Sequence, residues 1–203
     1  YIGFFTPTEG AGAGSVGTFL IAVTRGGMRW KGFSEALLGT AGTTGLIFLI
    51  LLGAAIFNAF LGFSQLPLFA ADFFKNSGMT PMSVLLAMVL LFIMLGFVMD
   101  SLSMILLTVP IFWPIIAVLD FGLQPEDLKL WFGIITLIVV EMGLITPPVG
   151  LNVFVINSMA KDVPMIETFR GVLPFFMSDT IRVVFIILFP IITLIMPRLL
   201  VIE

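Results

Sequence analysis

The stretch EMGLITPPVGLNVF, Glu141 to Phe154, lies inside a long apolar segment and decides the fold. It combines a carboxylate, a threonine, an asparagine, two glycines and two adjacent prolines. Pro147 and Pro148 have no amide hydrogen, and each ring clashes with the carbonyl group four residues earlier. The carbonyl groups near Met142 to Leu144 therefore lose their helical donors, which is costly in hydrocarbon. The stretch predicts a helix that is interrupted within the membrane and has carbonyl oxygens that need other partners.

The composition predicts an all-α integral membrane protein. Of the 203 residues, 60% are hydrophobic and 10% are charged, with a mean hydropathy of +1.22. A hydrocarbon core about 30 Å thick needs about 20 apolar residues per helix, and the chain has several such runs. The lack of cysteine and histidine excludes disulfides, thiolate or imidazole metal sites and Ser-His-Asp triads. Nine dispersed basic residues and a net charge of −3 argue against nucleic acid as a partner.

Capping signals and basic residues predict the organisation of the chain. Thr6, Pro7 and Glu9 have the pattern of a capping box that starts a helix, which we expect to run to about Thr24. Further along the chain we expect interfacial helices at 67–74 and 164–175 and the last span at 177–199. The positive-inside rule places one set of basic residues in the cytoplasm: Arg25, Arg29, Lys31, Lys161, Arg170 and Arg182.

The segment from Pro81 to Leu119 permits two interpretations. It is almost uninterrupted apolar sequence, and its only charge, Asp100, lies near the centre. Either two full spans meet in a turn at the far surface, or two half-helices form a re-entrant hairpin whose tip stops inside the bilayer. A surface turn usually contains more glycine, asparagine or basic residues than this segment does, which favours the hairpin.

The break is the predicted ion or substrate site, and the carboxylate near the hairpin tip is a further functional candidate. Interrupted helices in transporters present carbonyl oxygens to cations and half-helix amino termini to anions; a purely structural kink is the alternative. Glu141 and Asp100 are intramembrane carboxylates, which are functional by default, although a hydrogen bond to a neighbouring helix explains Glu141 equally well. Thr146 and Asn152 add oxygen ligands, and Gly150 allows another segment to approach closely.

The chain resembles the large membrane subunit, of the DctM type, of the tripartite ATP-independent periplasmic (TRAP) transporters. Four motifs carry the resemblance: FTPTE (5–9), GFVMDSLSMILLTVPIFWPI (96–115), GLITPPVGLNVFV (143–155) and VLPFF (172–176). The resemblance implies two inverted repeats, each with a re-entrant hairpin and a broken helix, in an elevator-type transporter. It also implies that this chain is the C-terminal half, beginning at the end of the first repeat. The implied regions are scaffold helices and an interfacial arm helix in 1–80, transport-domain elements in 81–160 and a cytoplasmic interfacial helix with the last transmembrane helix in 161–203. The transport-domain elements are the re-entrant hairpin at 81–119 and the broken helix at 127–160.

The same resemblance implies a function and a site. We expect Na⁺-coupled uptake of carboxylates, such as C4-dicarboxylates or sialic acids, across the bacterial inner membrane, with no catalysis and no cofactor besides the coupling ion. The expected partners are a periplasmic binding protein of the DctP type, a small membrane subunit of the DctQ type, and lipid. The implied sodium site joins the tip to the break, with mostly backbone ligands: Gly96, Asp100, Ser101, Ser103, Thr146, Pro147, Val149 and Gly150. Among these, the candidate Na⁺ ligands are Asp100, Ser101, Thr146, Val149 and Gly150.

Three other functions are open from the residues alone. The chain is alternatively part of another ion-coupled secondary transporter with inverted repeats. An intramembrane aspartyl protease would pair Asp100 with Glu141, but the sequence has no G-x-G-D motif. A channel would show a symmetric filter motif or a ring of charge, and the sequence resembles neither.

Overall fold

The computed structural model describes residues 6–159 and 162–200, and this part of the chain is all-helical. Phe5 of the FTPTE motif and Lys161 of the basic set lie outside the described residues. The described helices are α1 (Pro7–Thr24), α2 (Trp30–Ser64), α3 (Leu66–Asn76), α4 (Pro81–Leu95), α5 (Ser101–Ala117), α6 (Pro125–Ile145), α7 (Leu151–Met159), α8 (Met165–Leu188) and α9 (Ile191–Leu200). Of these, α2, α6 and α8 are long and apolar enough to cross a membrane. The predicted all-α membrane fold is confirmed.

The chain divides into two compact units, Tyr1–Leu52 and Gly53–Glu203. In the first unit, the Thr6 hydroxyl accepts a hydrogen bond from the Glu9 amide at 3.3 Å, and the Thr6 amide donates to the Glu9 carboxylate at 2.7 Å. These are the two hydrogen bonds of a capping box, and α1 ends at Thr24 as the sequence predicts. The second unit contains the hairpin, the break and the hydrophobic core.

The hairpin consists of α4 and α5, joined by a turn at 96–100. The two helices have 15 and 17 residues. At about 1.5 Å per residue, they measure roughly 22 and 25 Å, less than the hydrocarbon thickness of about 30 Å. The rings of Phe92 and Phe112 meet edge to face between the arms at 5.1 Å. Arms that are too short to cross the bilayer favour the re-entrant interpretation over two full spans.

Helix α6 is the centre of the second unit, packing against α4, α5, α8 and α9. Its Trp131, 1% exposed, donates from the indole nitrogen to the Ile186 carbonyl oxygen at 2.9 Å. That carbonyl lies four residues before Pro190, which has no amide hydrogen to donate to it. Trp131 therefore supplies the hydrogen bond that Pro190 removes from the end of α8. One turn earlier in α6, Asp127 forms an ion pair with Arg198 of α9.

Replacing Trp131 by phenylalanine should lower the thermal unfolding temperature of the protein. Phenylalanine retains most of the buried apolar area but leaves the Ile186 carbonyl without a donor, which costs about 1–3 kcal/mol. Thermal unfolding in detergent, followed by circular dichroism, measures the change. Trp30, 79% exposed, provides the matched control, since Trp30→Phe removes no buried hydrogen bond. Equal unfolding temperatures for the two variants would show that the indole hydrogen bond contributes nothing.

The structure divides the C-terminal region differently from the prediction of an interfacial helix at 164–175 and a separate span at 177–199. Helix α8 runs without interruption from Met165 to Leu188, through Pro174, and the helical path ends at Phe189. Each proline deletes one helical hydrogen bond, but only at Pro190 does the preceding residue leave the helical region, with φ −128° and ψ 77°. The hydrogen bond from Trp131 to the Ile186 carbonyl stabilises this end of α8 at Phe189.

Candidate functional site

The helix containing the proline pair is broken, as predicted. Helix α6 ends at Ile145 and α7 begins at Leu151, so that residues 146–150 between them are not helical. Thr146 is extended, with φ −82° and ψ 131°, as expected for a residue before proline. Gly150 has φ +51°, a left-handed conformation that glycine adopts without steric cost. Local proline and glycine chemistry thus accounts for both ends of the break.

Thr146 compensates for part of the hydrogen bonding that the prolines remove. Its hydroxyl donates to the Met142 carbonyl at 2.6 Å, and its amide donates to the Gly143 carbonyl at 3.2 Å. The expectation of unpaired carbonyls near Met142 to Leu144 is therefore wrong for the first two. Among the described residues, the carbonyl oxygens of Leu144 and Ile145 receive no hydrogen bond. These two oxygens, at the carboxyl end of α6, are the ones left for another partner.

The hairpin turn touches α6 directly at a pair of glycines. A Cβ atom on Gly96 would lie 2.5 Å from the Gly143 Cα atom, and one on Gly143 would lie 2.9 Å from the Gly96 Cα atom. The two backbones are thus in contact, closer than any side chain permits. Gly96 is the C-cap of α4 and Gly143 is in the last turn of α6, so the hairpin tip packs beside the free carbonyls.

Gly143 was not among the predicted site residues. It stands in the GLITPP motif, but the chain has 20 glycines, and nothing local distinguishes the one that contacts another backbone. A tertiary contact of this kind is visible only in the structure. Gly96, which was predicted, owes its place at the site to the same contact.

Asp100 is the N-cap of α5. Its carboxylate accepts hydrogen bonds from the Ser103 amide at 3.0 Å and from the Ser103 hydroxyl at 2.5 Å. Ser101 and Ser103 are half-buried, whereas Asp100 is exposed. A carboxylate has about four lone-pair sites, so the cap leaves acceptor capacity for a cation. The capping geometry explains these residues structurally, and their role as ion ligands stays a prediction.

The remaining predicted residues differ in where the structure places them. Glu141 is exposed and lies two residues from Gly143, about 200° around the helix, so it is not brought to the glycine contact. Pro147 and Val149 are exposed within the break, and Asn152 is half-buried in the first turn of α7. The structure therefore brings one residue of the tip, Gly96, to the end of α6 beside the break, and it leaves Glu141 outside that contact.

The family described as "Tripartite ATP-independent periplasmic transporter, DctM component" matches residues 1–192. The chain belongs to the DctM family. This DctM chain has the hairpin, the glycine contact and the broken helix described above, which coincide with the motifs 96–115 and 143–155 that carried the resemblance.

Relatives of this DctM chain are named as TRAP transporter permeases rather than enzymes. The sialic acid TRAP transporter large permease protein SiaM of Vibrio cholerae is 32% identical over 200 residues, which cover 98% of this chain and 45% of the relative. The C4-dicarboxylate TRAP transporter large permease protein DctM of Pseudomonas aeruginosa is 32% identical over 199 residues, with the same shares. The 2,3-diketo-L-gulonate TRAP transporter large permease protein YiaN of Escherichia coli is 28% identical, covering 85% of this chain and 39% of the relative. The chain spans less than half the length of these curated relatives.

Proposed function

We propose that this DctM chain serves in the membrane subunit of a Na⁺-coupled TRAP transporter that imports carboxylates by an elevator mechanism. The observation that carries the proposal is the pair of free carbonyl oxygens, on Leu144 and Ile145, beside the hairpin tip. Family membership supports the transporter class. Coupling to Na⁺ follows from the chemistry of the break.

The end of α6 has the properties of a cation site. Unpaired carbonyl oxygens at a helix carboxyl terminus carry the negative end of the helix dipole, and oxygen atoms are the ligands that hard cations prefer. The Thr146 hydroxyl uses its hydrogen for the Met142 carbonyl, which leaves its lone pairs available to the ion. Asp100, across the hairpin turn, adds a carboxylate. Bound Na⁺ supplies the partner that the prolines remove.

The beginning of α7 has the opposite polarity. The first helical hydrogen bond of α7 runs from the Phe154 amide to the Gly150 carbonyl, at 2.9 Å. The preceding amides lie at the positive end of the helix dipole, where carboxylates bind favourably. Cation and carboxylate thus bind on the two sides of one break, so that each reduces the electrostatic cost of the other.

An elevator mechanism requires that the binding elements move as one body. The glycine contact fixes the hairpin to α6, and buried side chains of α4, α5 and α6 belong to one core, which also includes residues of α3 and α8. A unit that is packed in this way carries its site across the membrane without rearranging the ligands.

The names of the relatives support a carboxylate as the substrate, and the description of the family as tripartite and periplasmic supports a multi-component system, which we assign to the bacterial inner membrane. SiaM is named for sialic acid and the Pseudomonas relative for C4-dicarboxylates, both of which are carboxylates. We propose that a periplasmic binding protein of the DctP type delivers the substrate. A small membrane subunit of the DctQ type completes the complex.

Uptake by the full-length permease, reconstituted with its partner subunits, should require Na⁺. We expect accumulation of labelled sialic acid or C4-dicarboxylate in Na⁺ buffer and none when choline replaces Na⁺. Thr146→Ala should raise the Na⁺ concentration for half-maximal uptake by about tenfold, because it removes a ligand and frees the Met142 carbonyl. Thr180, whose hydroxyl bonds to Phe176 one turn earlier in α8, provides the control Thr180→Ala. Equal uptake in choline contradicts the coupling.

A further inference from the structure

The short helix α7 needs support that its own backbone does not supply. Five non-helical residues separate α7 from α6, so no helical hydrogen bond crosses the break to fix the direction of α7. Apart from α6, α8 is the helix against which α7 mainly packs. The contacts with α8 therefore determine where the second half of the broken helix lies.

Asn157 forms the polar part of that contact. Its side-chain nitrogen donates to the Val163 carbonyl oxygen at 2.8 Å and to the Thr168 hydroxyl at 3.2 Å. The amide group has two N–H donors, and these two partners engage both. Asn157 thus ties the end of α7 to the first turns of α8.

Phe169 forms the apolar part, at the break itself. One edge atom of its ring, Cε1, lies 3.1 Å from the position that a Cβ atom on Gly150 would occupy. Gly150, Val153 and Asn157 are spaced i, i+3 and i+7, so they lie on one face of the helix, and Val153 is 1% exposed. This face of α7 thus meets α8 near the break, through Phe169 at Gly150, and meets the beginning of α8 near its other end, through Asn157.

We propose that Asn157 and Phe169 form a clamp that positions the break, holding residues 146–150 in the geometry that binds the coupling ion. The proposal rests on the Na⁺ coupling proposed above. Both residues act through the backbone they hold and not by contact with the ion, so they are positioning residues. When the clamp is loosened, α7 is no longer fixed before the ion binds. Ion binding must then also fix α7, and the entropy lost in doing so lowers the affinity for Na⁺. Loss of packing alone would reduce the amount of protein without changing the Na⁺ dependence of what remains.

The first test measures uptake against Na⁺ concentration in the full-length permease with its partner subunits. Asn157→Ala and Phe169→Ala should each raise the half-saturating Na⁺ concentration by about tenfold, with a smaller change in maximal rate. Phe169→Leu, which still covers Gly150, should restore most of the affinity. Ser158→Ala and Phe175→Ala are the matched controls, since Ser158 bonds to Val155 in its own helix and the Phe175 ring is 68% exposed.

The second test does not depend on Na⁺ coupling. This chain has no cysteine, so Ile156→Cys on α7 and Leu173→Cys on α8, both exposed, introduce sites for spin labels. Asn157→Ala should broaden the distance distribution between the labels, and Ser158→Ala should not.

The two tests separate the clamp from the coupling. If the parent is Na⁺-dependent and both clamp variants keep its half-saturating concentration, the clamp is overturned. If uptake by the parent is independent of Na⁺, the coupling is contradicted, and the spin-label distances decide the clamp alone. An unchanged distribution in Asn157→Ala then overturns it, and a broadened one supports it.

Discussion

Gly96→Ala should abolish uptake, because position 96 has no room for a side chain. The new Cβ atom would lie 2.5 Å from the Gly143 Cα atom and 2.7 Å from its carbonyl carbon. Overpacking in a core costs about 1–3 kcal/mol when side chains give way; here the obstacle is backbone on the partner helix, so we expect a larger cost. Gly96 has φ −61°, so the effect is steric and not conformational.

Membrane abundance and uptake of the full-length permease measure this effect. We expect both to fall, with Gly143→Ala next in severity, since its Cβ atom would lie 2.9 Å from the Gly96 Cα atom. Gly133→Ala on the same helix is the control, because no atom lies within 4 Å of its added Cβ. Parental uptake in Gly96→Ala would mean that the hairpin tip does not pack on α6.

Replacing Pro147 and Pro148 together by alanine should remove Na⁺-dependent uptake. The change restores two amide donors at the positions that would bond to the Gly143 and Leu144 carbonyls in a continuous helix. The break then loses both the geometry and an oxygen atom that we assign to the ion. We expect uptake at a limiting Na⁺ concentration to fall by roughly tenfold to a hundredfold, the range seen when metal ligation is disturbed.

Pro174→Ala is the matched control for the proline pair. Pro174 lies inside α8, which continues through it, so its amide restores a hydrogen bond without closing a break. Uptake by Pro174→Ala should be close to that of the parent. Equal loss in the two proline variants would assign the effect to general helix disturbance and not to the site.

Features that depend on local chemistry were predictable from the sequence. The cap of α1, the interruption at Pro147 and the two arms of the hairpin follow from short-range patterns, and the structure contains each of them. The N-cap role of Asp100 belongs to the same class, because aspartate is a preferred N-cap residue and a helical apolar segment follows it. From the sequence, Asp100 was predicted as an intramembrane carboxylate, and its capping role was missed.

Features that depend on contacts between distant segments were not predictable. Pro174 and Pro190 present similar local patterns, yet only Pro190 ends a helix, where the Trp131 indole takes up the freed carbonyl from 55 residues away. The Gly96 contact with Gly143 is of the same kind. The site itself combines both classes: the proline pair makes the carbonyls available, and tertiary packing brings the hairpin tip to them.

The claim that Na⁺ binds at the break is tested most directly by Na⁺-induced thermal stabilisation of the purified permease. The measurement compares the parent with the variant that carries both Pro147→Ala and Pro148→Ala. A ligand that binds only the folded state raises its stability in proportion to the logarithm of its concentration above Kd. We predict that Na⁺, against choline at equal ionic strength, raises the unfolding temperature of the parent and leaves that of the double variant unchanged. Equal stabilisation of both proteins, or of neither, would contradict a sodium site at the break.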